Sequence, residues 1–508
     1  MKRILKNGVA LLLALLMVLP VLASCSDKKG PSTDTGKNTE AGDPNSDPGN
    51  NGGDDTEKEV VVLPDIDYKG KDFRILMRDN DYYYHDMEVE EKILNTTGAN
   101  KVDEAVYYRN RAVEKRLGVT INVEKQSGFG NSLDPSGVRA VLRDGSYDLI
   151  ADHGRSLFTY VMEGSFKNWY DLKWVDLTKS WWSQGMISDF SIQDNLWCLT
   201  GDLSYQGIGA TVAMVMNKRL QNELMLDDPY PAVLNNAWTF EMFSEMVKAA
   251  KTDSDDTNLS PENGDMTGYM TTQWRGPMTS LYSAGIRAVK FNEDGALQIT
   301  VNSPKTILLF DDYFKLTDRN NCKLYLGNMP GNFYKTFANG NVLFIDTRLY
   351  DIGKVIENEF LDYGILPWPK YDEEVDEYYA WVDAVANVFG IPANKTDEEY
   401  EFISAVLEAL SAEGQSRVIP AFYEDTLQKR YAQNSESFRA LELIRAGRVF
   451  DLATYMADDM GVLSRVGYDL AGSKTNYSTW WGKNGLSLQK KVDDINVKLK
   501  NLIAKSSD

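Results

Sequence analysis

The sequence predicts an α/β fold with more than one core, and three observations lead to this prediction. Segments with the two-residue period of strands alternate with segments of helical period along most of the chain. The length of 508 residues is enough for two or three sizeable cores. The sequence shows no internal repeat of fixed period, which disfavours a solenoid or a propeller.

The first block of the pattern holds five elements in chain order: a strand at 73–77, a helix at 101–117, a strand at 119–123, a helix near 136–143 and a strand at 147–151. The helix at 101–117 is expected to end at Gly118, because glycine readily adopts the left-handed backbone of a helix C-terminus. The β-α-β-α-β order is the unit of a parallel, doubly wound sheet. Ligands bind beyond the carboxyl ends of such strands, so the loops at 78–84 and 152–156 are candidate site loops.

A second block contributes further elements: a strand at 211–216, a helix from Trp238 through Val247, strands at 342–345, 363–369 and 383–391, and an amphipathic tail helix at 486–503. Thr396 and Glu399 match the pattern of a capping box. Phe402, Val406 and Leu410 follow at helical spacing. A helix is therefore expected to begin directly after Thr396.

The first 25 residues have the pattern of an export signal. Lys2, Arg3 and Lys6 form a cationic start, and the apolar run at 9–22 is too short for a comfortable membrane span. The run ends in Leu22-Ala23-Ser24-Cys25, which resembles a bacterial lipobox. We therefore expect a lipoprotein signal peptide at 1–24, a lipid anchor on Cys25, and a location on the extracytoplasmic face of the cell membrane. The alternative is an ordinary secretory signal cut near Ala23, with Cys25 incidental.

The segment that follows is polar. Between residues 26 and 58 the only apolar residue is Ala41, among Gly, Ser, Thr, Asp, Asn and Pro. Such a composition cannot bury enough apolar surface to offset the entropy lost on ordering. Residues 25–59 are therefore predicted to form a lipidated cysteine and a disordered tether, with folding beginning near Glu59.

Charge and composition exclude several classes of function. A net charge of −21 argues against nucleic acid as a partner, because phosphate binding needs clustered cations. Two histidines, His85 and His153, and three cysteines are too few for a His-rich metal site or a four-thiolate zinc site. No metal and no cofactor is therefore predicted. Cys198 and Cys322 could pair or remain as free buried thiols, and the sequence does not decide between the two.

Several short motifs stand in a fixed order along the chain: Leu22-Ala23-Ser24-Cys25, Trp238-Thr239 opening a helix, Gly285 with Asn292-Glu293-Asp294-Gly295, Phe337-Ala338-Asn339-Gly340-Asn341-Val342, Tyr363-Gly364-Ile365-Leu366-Pro367, and the helical region from Thr396. Their order and spacing resemble the extracellular solute-binding proteins of ABC importers, in the family-one group that includes maltose-binding protein. The resemblance covers about residues 68–508. The stretch at 421–508 has no counterpart that can be placed.

The resemblance implies a two-lobe, type II (Venus-flytrap) periplasmic-binding-protein fold whose hinge is crossed more than once. Lobe one would comprise 60–202 plus 347–385, and lobe two 203–346 plus 386–508. A small-molecule solute would bind between the lobes, and the closed form would dock on the transmembrane subunits of an ABC permease. Nothing in that cycle breaks a covalent bond, so no catalytic residue is expected.

Sites for sugars combine flat aromatic faces with carboxylates and amides that exchange hydrogen bonds with hydroxyl groups. Such residues recur in this sequence at predicted loop positions and beside predicted strands. The candidate ligand-binding residues are Trp381, Asp383, Trp274, Asp346, Asp79, Asn80, Asp152 and Tyr205. For each of them the alternative is a surface loop residue or an aromatic side chain in the core. The pairs Trp181-Trp182 and Trp480-Trp481 fit packing better than ligand binding.

Two other classes remain open. An acidic, Trp-rich exported protein also fits a glycoside hydrolase that uses two carboxylates, or an esterase. The sequence has no Gly-x-Ser-x-Gly elbow, and its strand order does not resemble eight repeated barrel units. A lipoprotein adhesin or scaffold is the third possibility. If the chain is a binder, amino acids, peptides and polyols are alternatives to a sugar.

Overall fold

Two mixed sheets organise the chain. The computed structural model describes residues 60–79, 85–96, 99–128, 132–252, 259–355, 361–424, 435–473 and 475–506. Its strands are β1 (Lys71–Arg78), β2 (Val119–Gln126), β3 (Leu149–His153), β4 (Val212–Asn217), β5 (Thr267–Thr272), β6 (Val289–Phe291), β7 (Leu297–Ile299), β8 (Cys322–Tyr325), β9 (Val342–Arg348), β10 (Tyr363–Leu366), β11 (Ala380–Trp381), β12 (Asn387–Gly390) and β13 (Arg448–Val449). The predicted leader, Cys25 and the tether lie outside the described residues.

Helices flank the sheets and fill the C-terminal part of the described chain. The longer ones are Lys101–Leu117, Pro135–Asp144, Gly154–Met162, Phe240–Ala249, Arg275–Ser283, Pro304–Leu316, Asp397–Glu413, Ser435–Ala446, Val466–Ser473 and Tyr477–Ser506. The shorter ones are Glu91–Leu94, Gln184–Phe190, Gln206–Gly209, Lys218–Glu223, Tyr230–Leu234, Phe333–Thr336, Ile352–Val355, Leu452–Tyr455 and Ala457–Met460. Among the described helices, none is both long enough and apolar enough to cross a membrane.

The first sheet has the order β12-β3-β1-β2 and confirms the predicted doubly wound unit. Strand β1 runs parallel to β2 and to β3, and Ile75 lies opposite both Val123 and Leu149. Strand β12 closes the sheet antiparallel to β3. The segments that pair with each other, residues 75–77 of β1 and 149–151 of β3, are continuous apolar runs and are fully buried, as expected for strands covered on both faces.

The two predicted helix boundaries, the end at Gly118 and the start after Thr396, are confirmed. Asn100 and Asp103 form a capping box at the start of Lys101–Leu117, and the helix ends at Gly118 with φ of 62°. A side chain at Gly118 would occupy left-handed backbone and would also collide with Asp67. Thr396 and Glu399 form the expected capping box at the start of Asp397–Glu413. The tail helix extends further than predicted, from Tyr477 to Ser506.

The second sheet has the order β10-β4-β9-β5-β8. Strands β5, β8 and β9 are mutually parallel where they pair, and β4 runs antiparallel to both β9 and β10. The carboxyl ends of β5 and β9 therefore lie at the same edge as the amino end of β4. That edge is the one at which the chain enters the second sheet from the first.

Three chain segments run side by side between the two sheets, and we call them the crossover ribbon: residues 210–212, 380–383 and 447–450. The N–H of Asp383 donates to the carbonyl of Ala210 at 3.1 Å. The N–H of Val382 donates to the carbonyl of Val449 at 3.0 Å, and β11 pairs with β13 in parallel. The chain therefore passes between the sheets more than once, as the resemblance implies.

Strand pairing corrects the predicted assignment of segments to lobes. Strand β10 falls in the segment 347–385 given to lobe one, yet it pairs with β4 in the second sheet. Strand β12 falls in 386–508, given to lobe two, yet it pairs with β3 in the first sheet. Both strands have only four residues and a composition that suits either sheet, so only the long-range pairing distinguishes them.

The C-terminal region, which had no counterpart at the sequence level, packs against both halves of the described chain. Leu452–Tyr455 contacts the Gly154–Met162 helix of the first sheet, and Ser435–Ala446 contacts β10 of the second. Tyr477–Ser506 contacts β7 and the Pro304–Leu316 helix. Cys198 and Cys322 are both buried and free, which answers the question of their pairing.

The indole pair Trp181-Trp182 packs inside the core, as predicted, and it encloses a carboxylate. Trp182 Nε1 donates to Glu408 Oε2 at 2.9 Å, and Glu408 is only 1% exposed. Burial raises the pKa of Glu408 to about 7. The folded protein therefore holds a proton at Glu408 in the pH range where the unfolded chain has released it. Stability from this group is complete below pH 4.5, the ordinary pKa, and is lost as the pH rises through 7.

We predict that Glu408→Gln raises the free energy of unfolding by roughly 1–3 kcal/mol at about pH 8 and changes it little at about pH 4.5. The amide keeps an acceptor for Trp182 and never carries a charge. Urea denaturation at the two pH values measures the difference, and Glu398→Gln, at an exposed position of the same helix, is the control. Equal stabilisation at both pH values would contradict the prediction.

Candidate functional site

The candidate site lies where the strand ends of both sheets meet the crossover ribbon. In the first sheet, β1 ends at Arg78 directly before Asp79, and β3 ends at His153. In the second sheet, Trp274 follows β5, and β9 ends at Arg348. The N–H of Gly154 donates to Ala384 O at 3.0 Å, and Arg348 Nη1 lies 4.0 Å from Asp383 Oδ2. The two edges therefore reach the neighbouring residues Asp383, at the end of a ribbon segment, and Ala384, directly after it.

An aromatic cluster forms on the side of the second sheet. The ring of Trp274 lies 5.8 Å from that of Trp381 and 5.9 Å from that of Tyr468, and Tyr282 contacts Trp381 from behind. Trp274 and Tyr468 are half-buried, whereas Trp381 is fully buried. The structure thus brings together two of the predicted residues, with Trp274 offering ring surface and Trp381 supporting it.

Asp383 stands beside this cluster in a partly exposed position, with 19% of its side chain accessible. The N–H of Val385 donates to Asp383 Oδ1 at 3.2 Å, which fixes the carboxylate. Arg348 Nε donates to Asp351 Oδ2 at 2.7 Å, and the same guanidinium reaches toward Asp383. Asp383 is therefore a fixed acceptor with one side open to solvent.

Two further predicted carboxylates lie at the end of the first sheet. Asp152 Oδ1 accepts from the N–H groups of Leu133 at 3.0 Å and His153 at 2.7 Å. Its Oδ2 is buried and has no hydrogen-bond partner among the described residues. Burial raises the pKa of Asp152 to about 6, although the nearby Arg78 guanidinium acts in the opposite direction. Burial, Arg78 and Arg155 together lower the pKa of His153 to about 3, so this ring is neutral.

Asp79 has the same arrangement of one satisfied and one open oxygen. Ser127 Oγ donates to Asp79 Oδ2 at 3.2 Å. Asp79 Oδ1 is buried, and the described part of the chain offers it no partner. Asn80, the neighbouring prediction, lies outside the described residues. A ligand hydroxyl is one group that would satisfy the open oxygens of Asp79 and Asp152.

Tyr205 and Asp346 are buried in the structure, and a ligand contact of either residue stays a prediction. Tyr205 is 7% exposed and its ring stacks on that of Phe422 at 5.6 Å. Asp346 is fully buried within β9, where burial raises its pKa to about 6. A residue at the end of an apolar run reads as a loop residue in the sequence, but β9 continues two residues beyond Asp346.

A buried polar network that the sequence did not reveal supports the site from below. Arg78 Nε donates to Asn387 Oδ1 at 2.7 Å, and Arg78 Nη2 donates to Gln206 Oε1 at 3.1 Å. Asp86 accepts from Ser204 Oγ at 2.7 Å and from Gln206 Nε2 at 3.0 Å. Asn387 and Gln206 are 309 and 128 positions from Arg78, so no local signal could have indicated their contact.

The described residues contain no group of three or more histidine, cysteine, aspartate or glutamate side chains that could hold a metal ion. His85, which could have suggested a metal ligand or a base, places Nδ1 2.7 Å from Asp103 Oδ1. His153 Nδ1 accepts from the N–H of Arg155 at 3.2 Å.

Comparison with known proteins locates the chain by its fold. The sequence matches no protein-family model and no curated protein. The structure is similar to the cyclic α-maltosyl-1,6-maltose binding protein from Arthrobacter globiformis, with 12% identity and a TM-score of 0.55 over 85% of this chain and 100% of that one. It is also similar to a cyclo/maltodextrin-binding protein complexed with maltotetraose, with 15% identity and a TM-score of 0.51 over 86% and 98% of the two chains.

A third similar structure is the GacH receptor of Streptomyces glaucescens GLA.O, determined unliganded and with acarbose. It has 11% identity and a TM-score of 0.52 over 84% of this chain and 99% of that one. The shared architecture spans nearly the whole of each of these proteins. The predicted fold class is therefore confirmed: the chain has the two-lobe α/β fold of periplasmic binding proteins.

Proposed function

We propose that this protein is the solute-binding component of an ABC importer and that its solute is a carbohydrate. One observation carries the proposal. The half-buried ring of Trp274, backed by Trp381, lies at the strand edge where the partly exposed carboxylate of Asp383 also stands. The likeness in fold to sugar-binding receptors supports the same conclusion.

The chemistry of the site suits a sugar better than an ion or a lipid. A sugar ring presents C–H groups on its faces and hydroxyl groups around its rim, so it stacks on an indole and donates to carboxylates. Trp274 provides the ring surface, and Asp383 provides a partly exposed carboxylate. Asp79 and Asp152 each provide a buried oxygen that has no hydrogen-bond partner among the described residues. Arg348 provides a donor beside Asp383.

The crossover ribbon gives the proposed cycle a physical basis. Its hydrogen bonds join segments that lead into different sheets, so a change of backbone angle there would move one sheet relative to the other. A solute that contacts Asp152 on one side and Trp274 on the other would favour the closed arrangement by its additional contacts. The closed form would then dock on the transmembrane subunits of a permease.

A glycoside hydrolase is the second candidate, because the raised pKa of Asp152 is what a general acid requires. Product formation distinguishes a solute-binding protein from a hydrolase. A binder returns the oligosaccharide unchanged after long incubation, whereas a hydrolase shortens it. Chromatography of maltotetraose incubated with the protein distinguishes them.

The ring of Trp274 is proposed to stack on the bound sugar. We expect Trp274→Ala to weaken oligosaccharide binding by at least about tenfold, or about 1.4 kcal/mol, while leaving the melting temperature nearly unchanged. Tryptophan fluorescence titration against a panel of linear and cyclic oligosaccharides measures the affinity. Trp174→Ala, at another half-buried indole, is the matched control. Unchanged affinity in Trp274→Ala would remove this ring from the site.

Trp381 requires a different test, because its side chain is fully buried. We expect Trp381→Ala to lower the free energy of unfolding by roughly 3–5 kcal/mol through the cavity that it leaves. Trp381→Phe should retain the fold and weaken binding less than Trp274→Ala. Thermal denaturation and the same titration measure both effects, and a fully stable Trp381→Ala protein would show that the indole does not support the core.

We also propose that Cys25 carries a lipid and holds the protein on the extracytoplasmic face of the cell membrane, after removal of residues 1–24. The lipobox pattern and the polar tether support this proposal. Labelling cells with radioactive palmitate should mark the wild-type protein and leave Cys25→Ser unlabelled and released. Cys198→Ser, which alters a buried thiol, is the control. Equal labelling of the wild-type and Cys25→Ser proteins would contradict lipidation at this residue.

A further inference from the structure

A groove outside the candidate site forms between the Pro304–Leu316 helix, β8 and the start of the Tyr477–Ser506 helix. Its volume is about 880 Å³, which lies within the range of small-molecule sites. Trp274, Trp381, Asp383, Asp79 and Asp152 do not line it. The groove is therefore separate from the site between the sheets and needs its own explanation.

Aromatic rings form a continuous stack along one wall of the groove. Phe314 lies 5.9 Å from Phe310 with an interplanar angle of 19°, and Phe310 lies 5.9 Å from Tyr477 with an angle of 18°. Tyr477 and Trp481 continue the stack at 6.3 Å and 16°. Phe310 and Tyr477 are buried, whereas Phe314 is half-buried. The stack holds the outer ring of Phe314 in place at the groove surface.

The rim of the groove carries charges of both signs. Asp311 and Asp318 face the same space as Arg319 and Lys323, and the amide of Asn476 lies at the helix start. A strong anion would meet the two carboxylates, and a strong cation would meet the guanidinium and the ammonium group. A hydrocarbon chain would desolvate all four charges. The lining therefore favours a neutral ligand that has both hydrogen-bonding groups and apolar ring faces.

We propose that this groove is a second carbohydrate-binding site, in which a sugar ring stacks on Phe314 and its hydroxyl groups bond to Asp311, Asp318 and Arg319. This site goes beyond the proposed transport function, since binding here does not require closure of the two sheets. It would hold an oligosaccharide on the outer surface of the second half of the protein.

The groove contains a built-in chemical probe of its occupancy. Cys322 lies at its floor, is 2% exposed, and directs Sγ to Leu316 O at 3.2 Å. Cys198 is equally buried but does not line the groove. Because both thiols are buried, maleimide reaches either one only when the structure around it opens locally. A ligand bound in the groove should suppress local opening around Cys322 and so slow its alkylation, and should leave the rate at Cys198 unchanged.

The test uses the full-length protein carrying Trp274→Ala, so that the site between the sheets is weakened. Maltotetraose, cellotetraose and xylotetraose serve as probes, and mass spectrometry follows maleimide modification of each cysteine. We expect at least one probe to slow labelling of Cys322 severalfold. Adding Phe314→Ala or the exposed Asp311→Ala should abolish that protection, whereas Leu308→Ala, on the same helix but outside the groove, should preserve it.

Two results would overturn the proposal: no protection of Cys322 by any of the three probes, or protection that persists in both Phe314→Ala and Asp311→Ala. These results are distinct from failure of the transport proposal. That failure would appear in the protein with an intact Trp274, as an absence of any binding that Trp274→Ala weakens. Protection of Cys322 in such a case would leave the groove as the protein's sugar site.

Discussion

The architecture around the site depends on the hydrogen bonds that the Arg78 guanidinium donates. Arg78 is the last residue of β1 and is fully buried. Its guanidinium donates to Gln206, on the segment that leads into the second sheet, and to Asn387, on the segment that returns to the first sheet. A third bond joins it to the carbonyl of Val385. A buried charge is tolerated only where such bonds replace water, so the two passages of the chain are held in one arrangement. Lysine could not substitute for this planar fork.

The polar groups near this anchor divide into two kinds. Asp86 is buried and satisfied by Ser204, Gln206 and the N–H of Tyr205, and it serves the framework. Asp79 and Asp152 each keep one oxygen without a partner in the described part of the chain. A buried acceptor without a hydrogen bond costs free energy, and a bound hydroxyl group that donates to it can recover that free energy. The structural carboxylate of Asp86 has its hydrogen bonds filled, whereas the proposed binding carboxylates of Asp79 and Asp152 do not.

Local chemistry made much of the fold predictable. The C-terminal end of the helix at 101–117 follows from the glycine after it, and the start of the helix after Thr396 follows from two side chains three residues apart. The exchange of β10 and β12 between sheets was not predictable, because each is a strand of only four residues whose composition suits either sheet. Trp274 and Trp381 were both anticipated, but their contact and the burial of Trp381 depend on packing across 107 positions. The burial of Asp346 and Tyr205 was likewise not predictable, since residues near the ends of apolar runs can face either a loop or a core.

The late position of two short strands has a consequence for how the chain folds. Strand β12 completes a sheet whose other strands end by residue 153, and β13 adds the last segment of the crossover ribbon at Arg448–Val449. Until residue 390 is available, the edge of β3 has no neighbour on that side, so the first sheet cannot be completed on its own. Contacts between such distant residues form slowly, because a large loop must close first. A chain made from its N-terminus therefore cannot complete its first sheet until more than three quarters of its length has been synthesised.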